Sequence, residues 1–410
     1  MNRDKAGKNK IMKKLSVFVC VQLWLIVSCF SIAAQDFQKI RDGIEHAKIT
    51  KQMKSADGKD ENVVFNLLRL DLRKVRLDVV HAFDRAIGLE KTSSIAARHG
   101  AIAAINAGFF RLDKSIFAGE AAGVLMIDGK LLSESFSRRI ALGLINKRKK
   151  TEVVFGQLEA VGVVGYYRNG TKKFDGINRE RKKNEIILYT TEIKQTPPVD
   201  YKTTELIFRN CEFGCLRVDV VENTGGTLIP NDGYIVSVGE TVNKEFIVEF
   251  MKERVGKELT ERASFFDFLM IQDDKNPKLS NYKKLKKFKE AEDIVGGVPQ
   301  LIKNGKIEIT WQQEKQSKAF VETHHPRTAV AKLKNGKFLM VTVDGRSRES
   351  GGISLPDLAA FLLELGATDA MNLDGGGSTT MFLDGKVVNK PSDKEGERAV
   401  GDVILVFPRK

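Results

Sequence analysis

The sequence predicts a fold of the α+β or mixed α/β class, built on a twisted mixed β-sheet with hairpins and packed helices. Short apolar runs of strand length recur along the 410 residues, and several are joined by an Asp-Gly or Asn-Gly pair. Such pairs favour two-residue type I′ hairpin turns, whose central residues both need a positive φ. A strand–helix–strand pattern close to the C-terminus supplies the α/β part of the prediction.

Local composition predicts the early elements. Apolar runs over residues 63–70 and 75–80 predict two strands, and residues 92–99 predict a short helix capped by Thr92 or Ser93. The spacing of the hairpin turns is irregular, which argues against a sequence repeat. Four dipeptides are the predicted turns: Asp128-Gly129, Asn304-Gly305, Asn335-Gly336 and Asp384-Gly385.

The N-terminus predicts export. Five lysines within residues 5–14 precede an uncharged apolar run over residues 15–30, and small residues follow up to Ala34. This pattern is typical of a cleaved signal peptide, and the apolar run is short for a membrane span. A second interpretation stays open, because residues 25–29 resemble a lipobox in which Cys29 carries a lipid. The chain is expected to be periplasmic or extracellular, and to meet a membrane only through this signal or a lipid anchor at Cys29.

Composition divides the chain into a signal at 1–34, a polar lead-in at 35–62 and one functional domain at 63–407. Charge rises between about 150 and 290, and this stretch is predicted to be an insertion or elaboration of that domain. Cys211 and Cys215 form a close pair within it. In an oxidising compartment such a pair predicts a small-loop disulfide, whereas a zinc site would need two further ligands.

The basic charge does not indicate a nucleic-acid partner. The net charge is +14, of which the first 34 residues contribute five. The basic clusters at residues 179–183 and 283–287 lack regularly spaced aromatic side chains on which bases would stack. Solvated faces, or contacts with acidic polymers of the cell envelope, are therefore favoured.

One hairpin brings opposite charges together. If Asn335-Gly336 is a two-residue loop, Arg327 lies opposite Asp344, and cross-strand neighbours are close enough for a guanidinium to meet a carboxylate. His325 stands just before this arginine and is a further candidate for the same site. Asn106 ends an apolar run and precedes a glycine, so it serves either the site or the turn.

The strand–helix–strand pattern points to the same place. Ser354 begins a capping box, an apolar helical face follows, and Gly366 ends the helix. If the flanking strands are parallel, both lead out at one edge of the sheet, where ligands of open α/β sheets bind. Asp344, Arg346 and Asp374 all follow such strand ends, which predicts catalytic loops there.

A glycine triplet adds an anion-binding element. Gly375, Gly376 and Gly377 lack Cβ atoms, so their backbone N–H groups can turn toward one point and form a nest for phosphate. Ser378 and Thr379 supply hydroxyl donors. The alternative is a tight turn between strands without a ligand.

At these residues the sequence resembles the phosphodiester glycosidase family. The resemblance covers residues 63–150 and 290–407 and implies hydrolysis of a sugar-1-phosphate diester at its glycosidic bond, in a phosphate-containing glycan or glycoconjugate. The segments that carry it are 104–110, 296–299, 326–329, 343–346, 372–379 and 397–400.

The resemblance and the residues together suggest roles. Asp344 and Asp374 are the expected carboxylate pair for base or nucleophile work at an oxocarbenium-like transition state. The expected phosphate-binding groups are Arg327, Arg346 and the nest, joined by Asn106, His325, Ser378 and Thr379. No cofactor is required by the sequence. A divalent cation on the carboxylates is compatible with it, although no Cys or His pattern demands a metal.

Two other functions stay open. The same groups suit a non-catalytic envelope protein that binds phosphoglycan or exopolysaccharide. They also suit a phosphodiesterase that cuts the P–O bond instead of the C–O bond.

Overall fold

A computed structural model describes most of the chain beyond the export signal. Residues 1–34, with Cys29, lie outside the described residues, and so do Cys211 and Cys215. The described ranges are 37–55, 57–166, 170–210, 216–242, 266–270 and 287–409.

Strands dominate this structure. Strands β1 to β14 are Gln38–Arg41, Ile44–Lys54, Asp60–Leu70, Val75–His81, Glu90–Lys91, Ala103–Asn106, Leu125–Ile127, Lys130–Ser133, Ile140–Lys147, Lys150–Gln157, Glu159–Tyr166, Gly170–Lys173, Gly176–Ile177 and Ile186–Tyr189. Strands β15 to β28 are Thr203–Asn210, Leu216–Asn223, Gly233–Val238, Phe266–Met270, Asp293–Gly296, Gln300–Lys303, Lys306–Ile307, Arg327–Leu333, Phe338–Val343, Ala367–Asn372, Met381–Leu383, Lys386–Val387, Ala399–Val400 and Asp402–Pro408. Helices α1, α2 and α3 are Thr92–His99, Lys318–Glu322 and Leu355–Glu364, and short 3-10 helices span Ala82–Asp84 and Gly376–Ser378.

The prediction of a mixed α/β or α+β fold is wrong, because the molecule is mostly β and its sheets are antiparallel. Among the described residues, β13 and β14 are the one hydrogen-bonded parallel pair. The error has a local cause. The strand–helix–strand unit at β23, α3 and β24 has the α/β pattern, but elsewhere hairpins join neighbouring strands and few helices cover them.

The largest sheet has the strand order β1-β2-β3-β23-β22-β24-β20-β21. One face packs on the sheet β26-β25-β6-β28-β4, and Leu68, Val330, Ile105 and Ile404 meet in the core between them. The other face is covered by α3, whose buried Leu358 belongs to a second core. A strand buried on both faces reads as a continuous apolar run, which explains the composition of β3 and β23.

The strand–helix–strand unit brings the ends of β23 and β24 to one edge, as predicted. Both strands pair antiparallel with β22, which lies between them, so they run in the same direction. Helix α3 connects them and packs against β24, β20 and β21. Ser354 accepts a hydrogen bond from the Asp357 N–H and caps this helix, and Gly366 follows its end with a φ of +86°.

Three of the four predicted type I′ turns are confirmed. Both central residues have positive φ at Asp128-Gly129, Asn304-Gly305 and Asp384-Gly385. At Asn335-Gly336 only the glycine does, and Leu333 exchanges hydrogen bonds with Lys337 and Gly336. This is the three-residue loop with a left-handed third residue.

The longer loop shifts the register of this hairpin by one residue. Arg327 pairs with Val343, not with Asp344, so the prediction that Arg327 lies opposite Asp344 is wrong. One residue of slip sends a side chain to the other face of a sheet. The guanidinium and the carboxylate therefore leave the hairpin in different directions.

The other predicted elements have clear outcomes. The strands at 63–70 and 75–80 and the helix at 92–99 are confirmed. The predicted cap of this helix is wrong, since its N-cap is Lys91. Within the predicted lead-in, Gln38–Arg41 form β1 at the edge of the large sheet and Ile44–Lys54 form β2 beside it. Across the described part of the chain, no helix is long and apolar enough to span a membrane.

Candidate active site

The candidate site forms where β24 ends, and Asn106 holds its base together. The Asn106 side chain is buried; its Nδ2 donates to the Asp374 carbonyl at 2.7 Å, and its Oδ1 accepts from the Thr328 hydroxyl at 2.8 Å and the Thr380 N–H at 3.1 Å. The Asp374 N–H donates to the carbonyl of Ala107. Asn106 thus ties β6, β22 and the glycine turn into one base below the site.

Asp374 is the half-buried carboxylate of this site. Burial raises its pKa to about 6, while the nearby Ser378 hydroxyl and the Gly375 N–H, which donates to its Oδ1 at 2.9 Å, pull the value back. The positive charge of Arg398 acts in the same direction as those donors. A carboxyl group that titrates near neutral pH can serve as a base or nucleophile, or carry a proton.

The carboxyl group coupled to Asp374 is Asp402, at the start of β28. Asp402 is fully buried, its Oδ1 accepts the Gly108 N–H at 2.5 Å, and its Oδ2 has no hydrogen-bond partner among the described residues. Burial and the negative charge of Asp374 raise the pKa of Asp402 to about 7. The negative charge of ionised Asp374 therefore opposes the ionisation of Asp402.

Gly108 explains how the backbone comes so close to Asp402. A Cβ atom at position 108 would lie 3.0 and 3.1 Å from the two carboxylate oxygens of Asp402. A residue with a Cβ atom would require the loop or the carboxylate to shift by a few tenths of an ångström. The N–H of Gly108 is the donor that partly offsets the burial of Asp402.

The glycine turn is tighter than an open nest. Its N–H groups are largely used internally: Gly376 donates to the Pro326 carbonyl, Ser378 to the Gly375 carbonyl and Thr379 to the Gly376 carbonyl. Gly376 has a φ of +61°, which favours glycine. The buried hydroxyls of Ser378 and Thr379 have no acceptor or donor within hydrogen-bonding geometry among the described residues.

The turn lies between two arginines. Arg346 lies against Gly376, and its Nη2 donates to Nδ1 of His325 at 3.4 Å. On the other side, a side chain at Gly377 would overlap the guanidinium of Arg398, which binds Asp393 through two contacts of 2.7 and 3.0 Å. Two cations beside a half-buried carboxylate suit an anionic ligand.

Arg346 has the features of a ligand-binding arginine. Its side chain is exposed, and it makes no ion pair with a carboxylate among the described residues. Its φ of +57° is unusual for a residue with a side chain, and such strained positions cluster at functional sites. His325 beside it is kept neutral, because burial and the charges of Arg327 and Arg346 lower its pKa.

Arg327 is bound mainly to backbone. It is buried, its Nε donates to the Ile353 carbonyl at 3.2 Å, and its Nη2 donates to the carbonyls of Phe320 and Thr323 at 2.8 Å each. Burial, and then the charge of Arg346, lower its pKa to about 10, so it stays cationic at neutral pH. In this arrangement Arg327 holds the loop that carries His325 and contributes positive charge to the site.

Asp344 is bound by the backbone of Lys390. It is buried, and its Oδ1 accepts the Lys390 N–H at 3.0 Å. Burial raises its pKa, and the neighbouring donors and the charge of Lys48 oppose that rise. The negative charge of Asp374 acts on Asp402, and the catalytic pair of Asp344 and Asp374 stays a prediction.

Asp402 is the carboxylate near Asp374 that sequence reasoning did not propose for the site. It begins the last strand in an ordinary apolar run and carries no motif of its own. The adjacent segment 397–400 was part of the family resemblance, which was the signal that could have led to it. Within the described residues, no group of three or more His, Cys, Asp or Glu side chains is arranged to hold a metal ion.

The fold has counterparts among solved structures, which defines its class. A hypothetical protein from Synechocystis superposes with a TM-score of 0.68 at 20% identity, over 91% of this chain and 63% of that one. At this identity the likeness shows the fold alone. The molecule therefore belongs to an established class of antiparallel β folds.

Sequence comparison shows which family the chain resembles. A family model described as phosphodiester glycosidase matches residues 217–407, so the predicted resemblance to that family is confirmed. The prophage-derived uncharacterized protein YomE of Bacillus subtilis is 40% identical over 88 residues, 22% of this chain. The N-acetylglucosamine-1-phosphodiester alpha-N-acetylglucosaminidase of Bos taurus is 38% identical over 109 residues, 24% of this chain. These alignments span only 14% and 20% of the two relatives.

Proposed function

We propose that this chain hydrolyses the glycosidic C–O bond of a sugar-1-phosphate diester in a phosphate-containing glycan or glycoconjugate. The family match over residues 217–407 supports this reaction class, and the bovine relative is named for it. The observation that carries the proposal is the position of Asp374, a half-buried carboxylate with its pKa raised to about 6, in the glycine turn that the guanidinium of Arg346 contacts.

The reaction needs little acid catalysis. A phosphate diester is a good leaving group, so the C–O bond can break with its electron pair going to the phosphate oxygen. Water then supplies the hydroxyl at the anomeric carbon and loses a proton. Asp374, in its ionised form, stabilises the oxocarbenium-like transition state and acts as nucleophile or takes the proton from water. The products are a free sugar and a phosphate monoester.

Arg346 is proposed to hold the phosphate. A guanidinium can donate two parallel hydrogen bonds to phosphate oxygens, and the charge that develops on the departing group strengthens them. Neutral His325, which accepts from Arg346, orients this side chain. Arg327 and Arg398 add positive charge, while the buried hydroxyls of Ser378 and Thr379 line the turn that faces Asp374.

The bond that breaks can be identified with heavy-oxygen water. Methyl phosphodiesters of glucose, mannose, galactose and N-acetylglucosamine would be incubated with the purified chain, and the released methyl phosphate analysed by mass. We expect methyl phosphate without solvent oxygen, because the new hydroxyl goes to the sugar. Labelled methyl phosphate would instead identify a P–O-cleaving phosphodiesterase, and tight binding of all four diesters without release would identify a non-catalytic glycan-binding protein.

Export is a separate proposal that rests on the N-terminal sequence. We propose cleavage after Ala34, which leaves Gln35 as the first residue of the mature protein. Mass spectrometry of protein secreted by a bacterial host checks this. A mature chain that begins at a lipid-modified Cys29 would replace the proposal with the lipoprotein interpretation, and an uncleaved chain in the cytoplasm would contradict export.

A further inference from the structure

A basic groove lies at the other end of the large sheet from the candidate active site. It has a volume of about 470 Å³ and is formed where several turns meet. Strand β22 connects the two places, since Arg327 at its start belongs to the site and Lys332 near its end lines the groove. Five steps of about 3.4 Å separate these residues by roughly 17 Å. The residues that line the groove are Asp71, Leu72, Arg73, Lys150, Thr151, Glu152, Val153, Lys287, Lys332, Asn335, Gly336 and Lys337.

Positive charge exceeds negative charge in this groove. Five of its side chains are Lys or Arg and two are carboxylates. Arg73 pairs with Asp71 at 2.7 Å, and Lys150 with Glu152 at 3.1 Å. Lys337 pairs with a carboxylate outside the groove at 2.8 Å. Both carboxylates of the groove are therefore already neutralised.

Two lysines in the groove have no carboxylate partner within the part of the chain that the structure describes. Lys287 and Lys332 are exposed, and no carboxylate of the described residues lies within 4.0 Å of either ammonium group. Lys332 is paired across the sheet with Asp369, which lies in register with it without forming an ion pair. Ammonium groups that face a concave surface attract anions, most strongly at low ionic strength.

The rim of the groove extends the positive charge. The hairpin end that joins β9 to β10 carries four exposed cations: Lys147 at the end of β9, Arg148 and Lys149 in the turn, and Lys150 at the start of β10. Lys334 is exposed in the turn between β22 and β23. These cations are distant in sequence and meet only because the hairpins end at the same side of the molecule.

We propose that this groove docks a polyanionic polymer with regularly spaced phosphates, such as a phosphodiester-linked glycan chain. A row of lysines on separate turns matches repeating charges along an extended chain, since ammonium groups bind phosphate as point charges. A polymer that is held here keeps its other repeats close to the molecule, which raises their effective concentration at a second site.

Two other polyanions fit the groove less well. No aromatic side chain lines it among the described residues, so the bases of a single-stranded nucleic acid would have no stacking platform. Peripheral membrane proteins insert apolar groups between lipids, yet the exposed large hydrophobic side chains in the described ranges, such as Leu112 and Leu228, lie outside the groove. A concave surface also suits a chain better than a flat bilayer.

The test compares two triple variants with equal changes of charge. One carries Lys150→Gln, Lys287→Gln and Lys332→Gln in the groove; the control carries Lys59→Gln, Lys114→Gln and Lys318→Gln at exposed positions elsewhere. Fluorescence anisotropy with labelled inorganic polyphosphate of defined length measures binding across a range of salt concentrations. We expect the groove variant to bind polyphosphate at least about tenfold more weakly. The slope of log affinity against log salt concentration should fall by about 2 to 3, because each missing lysine leaves a phosphate whose counterions are not released on binding. The control should bind within about twofold of the unmodified chain.

Several outcomes would overturn the proposal. They are no binding of polyphosphate by the unmodified chain, equal losses in both triple variants, or tighter binding to phosphatidylglycerol vesicles or to oligothymidine than to polyphosphate. The rate at which the small methyl diesters are hydrolysed tests the proposed function independently of the groove. The groove variant should keep that activity if the chain is an enzyme, and polyphosphate binding stands whether or not any diester is cleaved.

Discussion

Replacing Asp374 by Asn is expected to lower kcat for a sugar-1-phosphate diester by at least about a thousandfold, with the fold unchanged. Asn keeps the Oδ1 that accepts the Gly375 N–H, so the turn retains its hydrogen bond. It cannot carry the negative charge that stabilises an oxocarbenium-like transition state or removes a proton from water. Initial rates with the methyl diesters, together with the thermal midpoint of unfolding, measure both parts of this expectation.

Asp344→Asn is the matched variant. Both carboxylates follow parallel-running strands at one edge of the sheet, but Asp344 accepts the Lys390 N–H, whereas Asp374 accepts the N–H of Gly375 in the glycine turn. We expect Asp344→Asn to retain most of the activity, because an amide oxygen still accepts that N–H. A fully active Asp374→Asn protein would contradict the assignment of Asp374, and an inactive Asp344→Asn protein that unfolds normally would restore Asp344 to the catalytic pair.

Replacing Asp402 by Asn is expected to remove the alkaline limb of the pH profile. Activity should rise as Asp374 ionises with a pKa of about 6 and fall as Asp402 ionises with a pKa of about 7, since a second negative charge below the site repels the phosphodiester anion. The rate should fall about tenfold for each pH unit below the pKa of Asp374 and about tenfold for each pH unit above the pKa of Asp402. The introduced amide carries no charge at any pH, so the Asp402→Asn variant should keep only the acid limb and exceed the unmodified protein in relative rate above about pH 8.

The same ionisation has a consequence for stability, which serves as an independent measurement. A carboxyl group whose pKa is higher in the folded than in the unfolded state binds its proton more tightly when folded, so the free energy of unfolding falls as pH rises from about 4 to 7. Asp402→Asn should reduce that fall. An alkaline limb that persists in the variant would show that another group controls it.

Sequence reasoning succeeded where the signal was local. Ser354 caps α3 because its hydroxyl reaches an N–H three residues away, and that geometry depends on nothing distant. Asp128-Gly129 forms the expected turn for the same reason. Asn335-Gly336 forms a different turn, because neighbouring strands β3 and β24 fix the register of β22 and β23, and a dipeptide cannot report on those partners.

The fold class, and the position of Asp402 near Asp374, depend on contacts between segments that are distant in sequence. Local sequence patterns do not record such contacts. A strand that is buried on both faces is a continuous apolar run in a parallel sheet and in an antiparallel sheet alike. The prediction of the fold class therefore relied too much on the strand–helix–strand unit. Asp402 lies far from Asp374 in sequence, and only the pairing of β28 with β6 brings it under Gly108. Arg327 was proposed for the site, but its three carbonyl acceptors come from helix α2, from Thr323 after it and from the separate segment at Ile353, and the sequence does not reveal that these meet.

The strand order of the large sheet has a consequence for folding in the cell. Strand β3 pairs early with β2, but its other edge waits for β23, which is synthesised much later; Leu70, for example, pairs with Phe338. Until then a strand that is apolar on both faces, with Phe65 toward one core and Leu68 toward the other, has an open edge. Folding is therefore expected to be slow and completed only after synthesis, and a chain truncated before β23 should aggregate unless a chaperone covers that edge.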